Sequence, residues 1–117
     1  MNAVIPTKVR SKLTKLSRMK VCERRNEGGC MGVLEWHHTI SGTGRKKLQE
    51  EWSIIALCTQ HHRGILKDDA KARHIAYSYA TDDDLSANPK TRDIFKQEKL
   101  YLSKKYVPFP KSISTNG

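Results

Sequence analysis

The sequence predicts a small α+β protein, stapled by metal, with helices appended at both ends of a central core. Three observations predict it. Cys22, Cys30, Cys58 and two histidine pairs, His37-His38 and His61-His62, crowd into the 41 residues from Cys22 to His62. Within that stretch lie two short apolar runs, Val33 to Trp36 and Trp52 to Leu57; Ile54 and Ile55 favour a strand for the second. Outside it, apolar residues recur at helical spacing. A chain of 117 residues, 37% apolar, suits one domain with a modest core. Such a core would gain from a metal staple.

Taken in order, Met1 to Pro6 reads as a loose start. From Thr7 to about Lys20 the chain is basic, with Val9, Leu13 and Leu16 spaced as one stripe of a short amphipathic helix. Its cations suit either a DNA contact or a solvated face. Cys22 to Cys30 is a loop in which Gly28-Gly29 allows a tight backbone. Val33 to Trp36 reads as extended. Ser41 to Lys47 is a Gly-rich basic loop, and Trp52 to Leu57 is the second strand, although so short a run does not by itself separate strand from helix.

A helix starts near Thr59 and is interrupted around Gly64. Asp68 and Asp69 suit a further helix start, after which Ala72, Ile75, Ala76 and Tyr79 share a face. Thr81 to Pro89 reads as a polar connection. Asn88-Pro89 resembles an N-cap followed by proline at the first helical position. Ile94, Phe95, Glu98, Tyr101 and Leu102 fit a last helix of about four turns, ended by Pro108 and Pro110. The organisation is a single domain: a core over about 20–68, a helical extension over about 69–107, and a disordered tail over about 108–117.

Lys plus Arg outnumber Asp plus Glu by 22 to 12, a formal charge of +10. That balance fits a phosphate-binding surface. Charge alone also fits a basic protein with no nucleic-acid role. No long apolar run, signal peptide or lipidation motif appears, so no membrane partner is expected. Three cysteines are an odd number. A disulfide leaves one thiol over, whereas a histidine-completed metal site uses all three and suits a reducing cytosol.

The spacing assigns that site to Cys22, Cys30, Cys58 and His61. Cys58-x2-His61 lets a knuckle or helix start aim two ligands at one zinc. Cys22-x7-Cys30 is longer than the usual gap, and Gly28-Gly29 makes the longer turn feasible. His37, His38 and His62 then remain for a second, open site. Neighbours on a strand point to opposite sides, so His37 and His38 take different jobs. Neighbours on a helix are about 100° apart, so His61 and His62 face different centres.

Leu34-Glu35-Trp36-His37-His38, followed by Ile54-Ile55-Ala56-Leu57-Cys58-Thr59-Gln60-His61-His62, resembles the HNH endonuclease family, with 24 positions from His38 to His62. The likeness covers about residues 22–64 and is nearest a phage-type branch that includes recombination-linked nucleases. It implies a ββα-metal (His-Me finger) core with appended helices, and a divalent-metal-dependent DNA endonuclease or nickase. In that family's pattern His38 is the general base, and His37 and His62 hold a catalytic Mg2+ or Mn2+. Cys22, Cys30, Cys58 and His61 hold a structural Zn2+, where many relatives use four cysteines. The usual middle Asn falls at Ser53, which is too short to do all that an Asn can do.

An imidazole can take a proton from water near neutral pH, and a divalent ion can stabilise the leaving oxygen of a phosphodiester. The resemblance implies 5′-phosphate and 3′-hydroxyl products. Arg45, Lys46, Lys47 and Arg63 are candidate phosphate contacts, and Glu35 either orients a histidine or sits in solvent. Trp36 and Trp52 read as core or loop anchors rather than base-stacking groups, His74 as helix packing or surface, and Asp82 to Asp84 as a solvated acidic loop. Two other classes stay open: a non-catalytic zinc DNA-binding module, and a zinc-stabilised protein-interaction domain. The expected setting is cytoplasmic, as for a phage protein in its bacterial host. No heptad pattern points to a dimer, and a monomer would suffice to nick.

Overall fold

The computed structural model describes residues 5–40 and 48–106 and folds them as an α+β protein. Strand β1 (Leu34–His38) pairs antiparallel with β2 (Ile54–Cys58), Leu34 facing Cys58, Trp36 facing Ala56 and His38 facing Ile54. Every residue of β2 is buried. That explains a run with no polar alternation, Ile-Ile-Ala-Leu-Cys. Two compact units are present, Met1–Tyr79 and Ala80–Gly117.

In the first unit, α1 (Thr7–Thr14) seats Leu13 in a core with Ile5, Met19, Ile54 and Ala56, flanked by Val9, Leu16 and Trp36. The helix expected to run to Lys20 stops earlier. Leu16 is extended and a 3-10 turn, Ser17–Lys20, follows. The break lets Met19 reach the same core as Leu13. It also lets the Arg18 guanidinium donate to the carbonyls of Ile54 and Glu51, both at 3.0 Å. Further 3-10 turns cover Arg25–Glu27 and Glu51–Ser53.

Helix α2 (Thr59–Arg63) follows β2 directly and ends at Gly64, where the interruption was expected. Helix α3 (Asp69–Tyr79) buries Ala72 and Ala76. Its buried aromatic is Tyr77 rather than the expected Tyr79. Tyr77 stacks on Trp52 with ring centroids 5.6 Å apart. The Tyr79 hydroxyl instead donates to Glu23, at 2.8 Å, beneath the Arg18 guanidinium. Helix α3 belongs to the same unit as the strands.

In the second unit, α4 (Asp82–Ser86) replaces the connection expected over Thr81 to Pro89. Thr81 Oγ1 accepts from Asp84 N, and Asp84 Oδ2 accepts from Thr81 N. This reciprocal cap, with three aspartates in the first turn, stabilises a helix start. Asn88 is not the cap of the last helix. Its Oδ1 accepts from Lys90 N in a local turn, and α5 (Arg92–Lys105) starts after Thr91. Of the expected α5 stripe, Leu102 is buried while Ile94 and Tyr101 are exposed. Five residues of α4 span roughly 7.5 Å against roughly 21 Å for α5, too short to cover a whole helix face. No helix among the described residues is long and apolar enough to cross a membrane. Arg45, Lys46, Lys47 and the tail over about 108–117 lie outside the described residues.

A candidate metal centre beside a histidine pair

The two strands and the first turn of α2 bring Cys58 and His61 together, and the Cys22–Cys30 loop closes over them. One ligand atom each from Cys22, Cys30, Cys58 and His61 lies within 4.8 Å of every other. His61 Nδ1 is 3.5 Å from Cys22 Sγ, 3.6 Å from Cys30 Sγ and 3.2 Å from Cys58 Sγ. Around one tetrahedral zinc, Zn–S and Zn–N bonds of normal length give S···N separations of about 3.6 Å. The donor set therefore has the chemistry and the size to hold a metal ion. His61 Nε2 is buried with no hydrogen-bond partner among the described residues, so Nδ1 is the nitrogen turned to the sulfurs.

Local structure explains the convergence. Cys58 is the N-cap of α2, and its sulfur accepts from His61 N at 3.5 Å. Burial pushes its thiol up, but backbone hydrogen bonds from His61 and Met31 outweigh burial and bring it to about 6. The Cys30 thiol is pushed up to about 11, by desolvation and by hydrogen bonds shared with Cys58 and Cys22. The Cys30 sulfur thus resists ionising alone; a bound cation would favour its thiolate.

The loop is locked from outside. Arg24, buried, donates to Glu27 and to the Leu66 carbonyl. Lys71 of α3 reaches Glu27 at 2.7 Å. Gly29 adopts φ +80°, and a Cβ there would lie 2.5 Å from Leu66, so no larger residue fits without displacement. The segment after Cys30 is tied to α2 by Gln60 N to Met31 O and Thr59 N to Val33 O.

A second group lies one residue further along α2. Glu35 and His37 share a face of β1. His62 comes to that face: its ring centroid is 4.5 Å from that of His37, tilted by 48°. His62 Nδ1 lies 2.7 Å from Glu35 Oε1. Arg63 donates to both oxygens of Glu35, and Thr59 Oγ1 donates to Oε2. Arg63, then His62, hold the Glu35 carboxyl down at about 2. An ionised carboxylate only accepts. His62 Nδ1 is therefore the donor in its contact with Glu35.

Of the residues expected in this second group, His37 and His62 meet and Glu35 orients one of them. His38 points to the other face, where Nε2 is 2.9 Å from Gln49 Oε1. Gln49 carried no motif; its signal is only its place just before the buried Trp52-Ser53. Ser53 is fully buried and its hydroxyl is committed to backbone, so it faces no open site. Arg63 is 66% exposed and paired with Glu35. His74 is half-buried, and burial, then Lys71, push its imidazole down. Of the two expected core or loop anchors, Trp52 is buried and Trp36 is partly buried against the core. Among the described residues the three cysteines with His61 are the one group of three or more convergent donors; His37 and His62 form a pair.

Compared with protein-family models, with curated proteins and with solved structures, the chain matches none of them.

Proposed function

We propose that the protein is a metal-dependent nuclease of the HNH, ββα-metal type, acting on DNA, with zinc at Cys22, Cys30, Cys58 and His61 as its structural staple. The observation that carries this reading is the meeting of His37 and His62 beside the cysteine-rich donor set, with Glu35 fixing the His62 ring. A binding module with one structural zinc needs no second imidazole pair held by a half-buried carboxylate.

In this reading His37 and His62 would hold a divalent ion, Mg2+ or Mn2+. When bound, that ion supplies charge stabilisation at the phosphate and the leaving oxygen. Glu35 holds His62 in the tautomer that offers Nε2. His38, the last residue of β1, takes a proton from water at the end of the strand. Cations on α1 follow the backbone of the nucleic acid: Lys8, Arg10, Lys12 and Lys15 are exposed, and no acidic residue stands among the first 22 positions. The +10 charge supports a polyanionic partner.

The test is cleavage of supercoiled plasmid by zinc-loaded protein, with and without Mg2+ or Mn2+. His38→Ala should lose about 10²–10⁴-fold in rate, with zinc content, melting and DNA affinity retained. DNA affinity itself should fall steeply with salt. If clean wild type binds DNA tightly yet cuts neither DNA nor RNA with any divalent ion, a zinc-stabilised binding module replaces the nuclease.

A further inference from the structure

We infer that Gln49 is a positioning residue for His38: it holds the imidazole with its proton on Nε2 and so leaves Nδ1 as the nitrogen that accepts a proton. The use assigned to Nδ1 rests on the nuclease reading above; the hold itself does not. The contact is direct, His38 Nε2 to Gln49 Oε1 at 2.9 Å. An amide oxygen can only accept, so the ring nitrogen facing it must donate. A neutral imidazole has one N–H, and fixing it on Nε2 makes Nδ1 the base.

What makes this more than a surface contact is how Gln49 is delivered. The residues on both sides of it are pinned by the buried Ser53. The Ser53 hydroxyl lies 2.8 Å from Glu50 O and 3.1 Å from Leu48 O, and accepts from Glu50 N at 3.3 Å. Glu50 in turn accepts from Ser53 N, closing a capping box. The same turn is bolted to the end of β1. Thr39 donates to Ser53 O from both its N–H and its hydroxyl, at 3.0 and 2.8 Å, and Leu48 N donates to Ile40 O at 2.8 Å. Strand end and turn are therefore tied together, with His38 on the first and Gln49 on the second.

The division of labour also accounts for serine at position 53. A short hydroxyl fits a fully buried corner and shapes the turn, while the amide that meets the histidine comes from earlier in the same turn. An amide orients the ring without adding a charge, where a carboxylate would favour the imidazolium.

The experiment is long-range 1H–15N correlation NMR of the histidines in the zinc-loaded full chain, above neutral pH where imidazole is uncharged. The His38 signals are identified by their loss in His38→Gln. Wild type should show His38 as the Nε2–H tautomer. Gln49→Met, of similar shape but with no acceptor, should mix the two tautomers at unchanged zinc content and melting temperature. Gln49→Glu should restore Nε2–H. In plasmid cleavage Gln49→Met should lower turnover about 10–100-fold with KM little changed, and Gln49→Glu should recover part of it. An Nδ1–H tautomer in wild type, or a tautomer unmoved by Gln49→Met, overturns the proposal. If the NMR pattern appears and wild type cuts nothing, Gln49 stands as the holder of His38 and the nuclease reading falls.

Discussion

The cysteine-rich centre and the His37/His62 pair hang from the same strands and the same turn of helix, yet they are built in opposite ways. The first has four converging donors, of which only Cys30 is exposed. Cys22, Cys58 and His61 are buried, and the His61 nitrogen meets sulfur on every side it uses. The second is half-buried, and the Glu35 carboxylate holds its His62 ring. A closed four-donor set can hold an ion for the sake of the fold; a two-imidazole pair leaves positions for water and substrate. One step along α2, about 100°, separates the two uses. Under the proposed function, these neighbouring histidines would serve stability and chemistry without sharing an ion.

The largest effect should come from breaking the closed side. Cys58→Ser removes a ligand and alters the cap of α2 together. We expect loss of bound zinc and of cooperative unfolding. Apparent zinc affinities of about 10–16 kcal/mol in small structural sites rival the whole stability of a domain. His62→Ala should keep zinc and melt cooperatively. The measurements are metal analysis and calorimetry of both variants. Equal zinc loss in the two would mean that the centres are one, and the contrast would fail.

Much of this contrast could be read from residue types and spacing. Cys58-x2-His61 and the odd cysteine count point to one ligand set, and Gly28-Gly29 to the turn that completes it. Both glycines do take positive φ. Strand alternation places His37 and His38 on different sides, as found. What spacing could not give was partnership between distant side chains. Gln49 meets His38 where Ser53 ties its turn to Thr39, a link made by hydroxyl and backbone bonds with no sequence signature. Tyr77 replaced Tyr79 in the core because Trp52 offered it a stacking partner across the fold. The aspartates at 82–84 read as loop because a run of charge suits solvent as well as a first helical turn; their cap, Thr81, is visible in hindsight as Thr-x-x-Asp.

An intermediate effect should come from the carboxylate that organises the open side. Glu35→Gln keeps the shape, removes the charge that binds Arg63, and weakens the hold on the His62 tautomer. Loss of such a partner typically costs about 10–100-fold in metal affinity or activity. We expect cleavage to need more Mn2+ by a factor of that order, with zinc content unchanged. A titration of rate against Mn2+ that superposes on wild type would show that Glu35 only binds Arg63.

The smallest effect compares the two carboxylates themselves. Glu27 locks the loop of the closed centre to α3, as Glu35 locks the open pair. Hydrogen bonds from Arg24 hold the Glu27 carboxyl at about 2 against burial, with Lys71 adding to the pull. A carboxyl whose folded value lies below its ordinary 4.5 stabilises the fold fully above that pH. The stabilisation is lost as pH falls from about 4.5 toward about 2, because across that window the unfolded chain takes up the proton and the native state does not. Wild-type stability should therefore slope downward across that window, and Glu27→Gln should flatten part of the slope while lowering stability near neutrality. Any metal released on the way down is a loss common to both variants. The decisive measurement is the difference in melting temperature between Glu27→Gln and wild type at several pH values, with Glu35→Gln as the reference. The difference should shrink as pH falls. If it stays constant, Glu27 acts through packing of the loop and its charge is incidental to the closed centre.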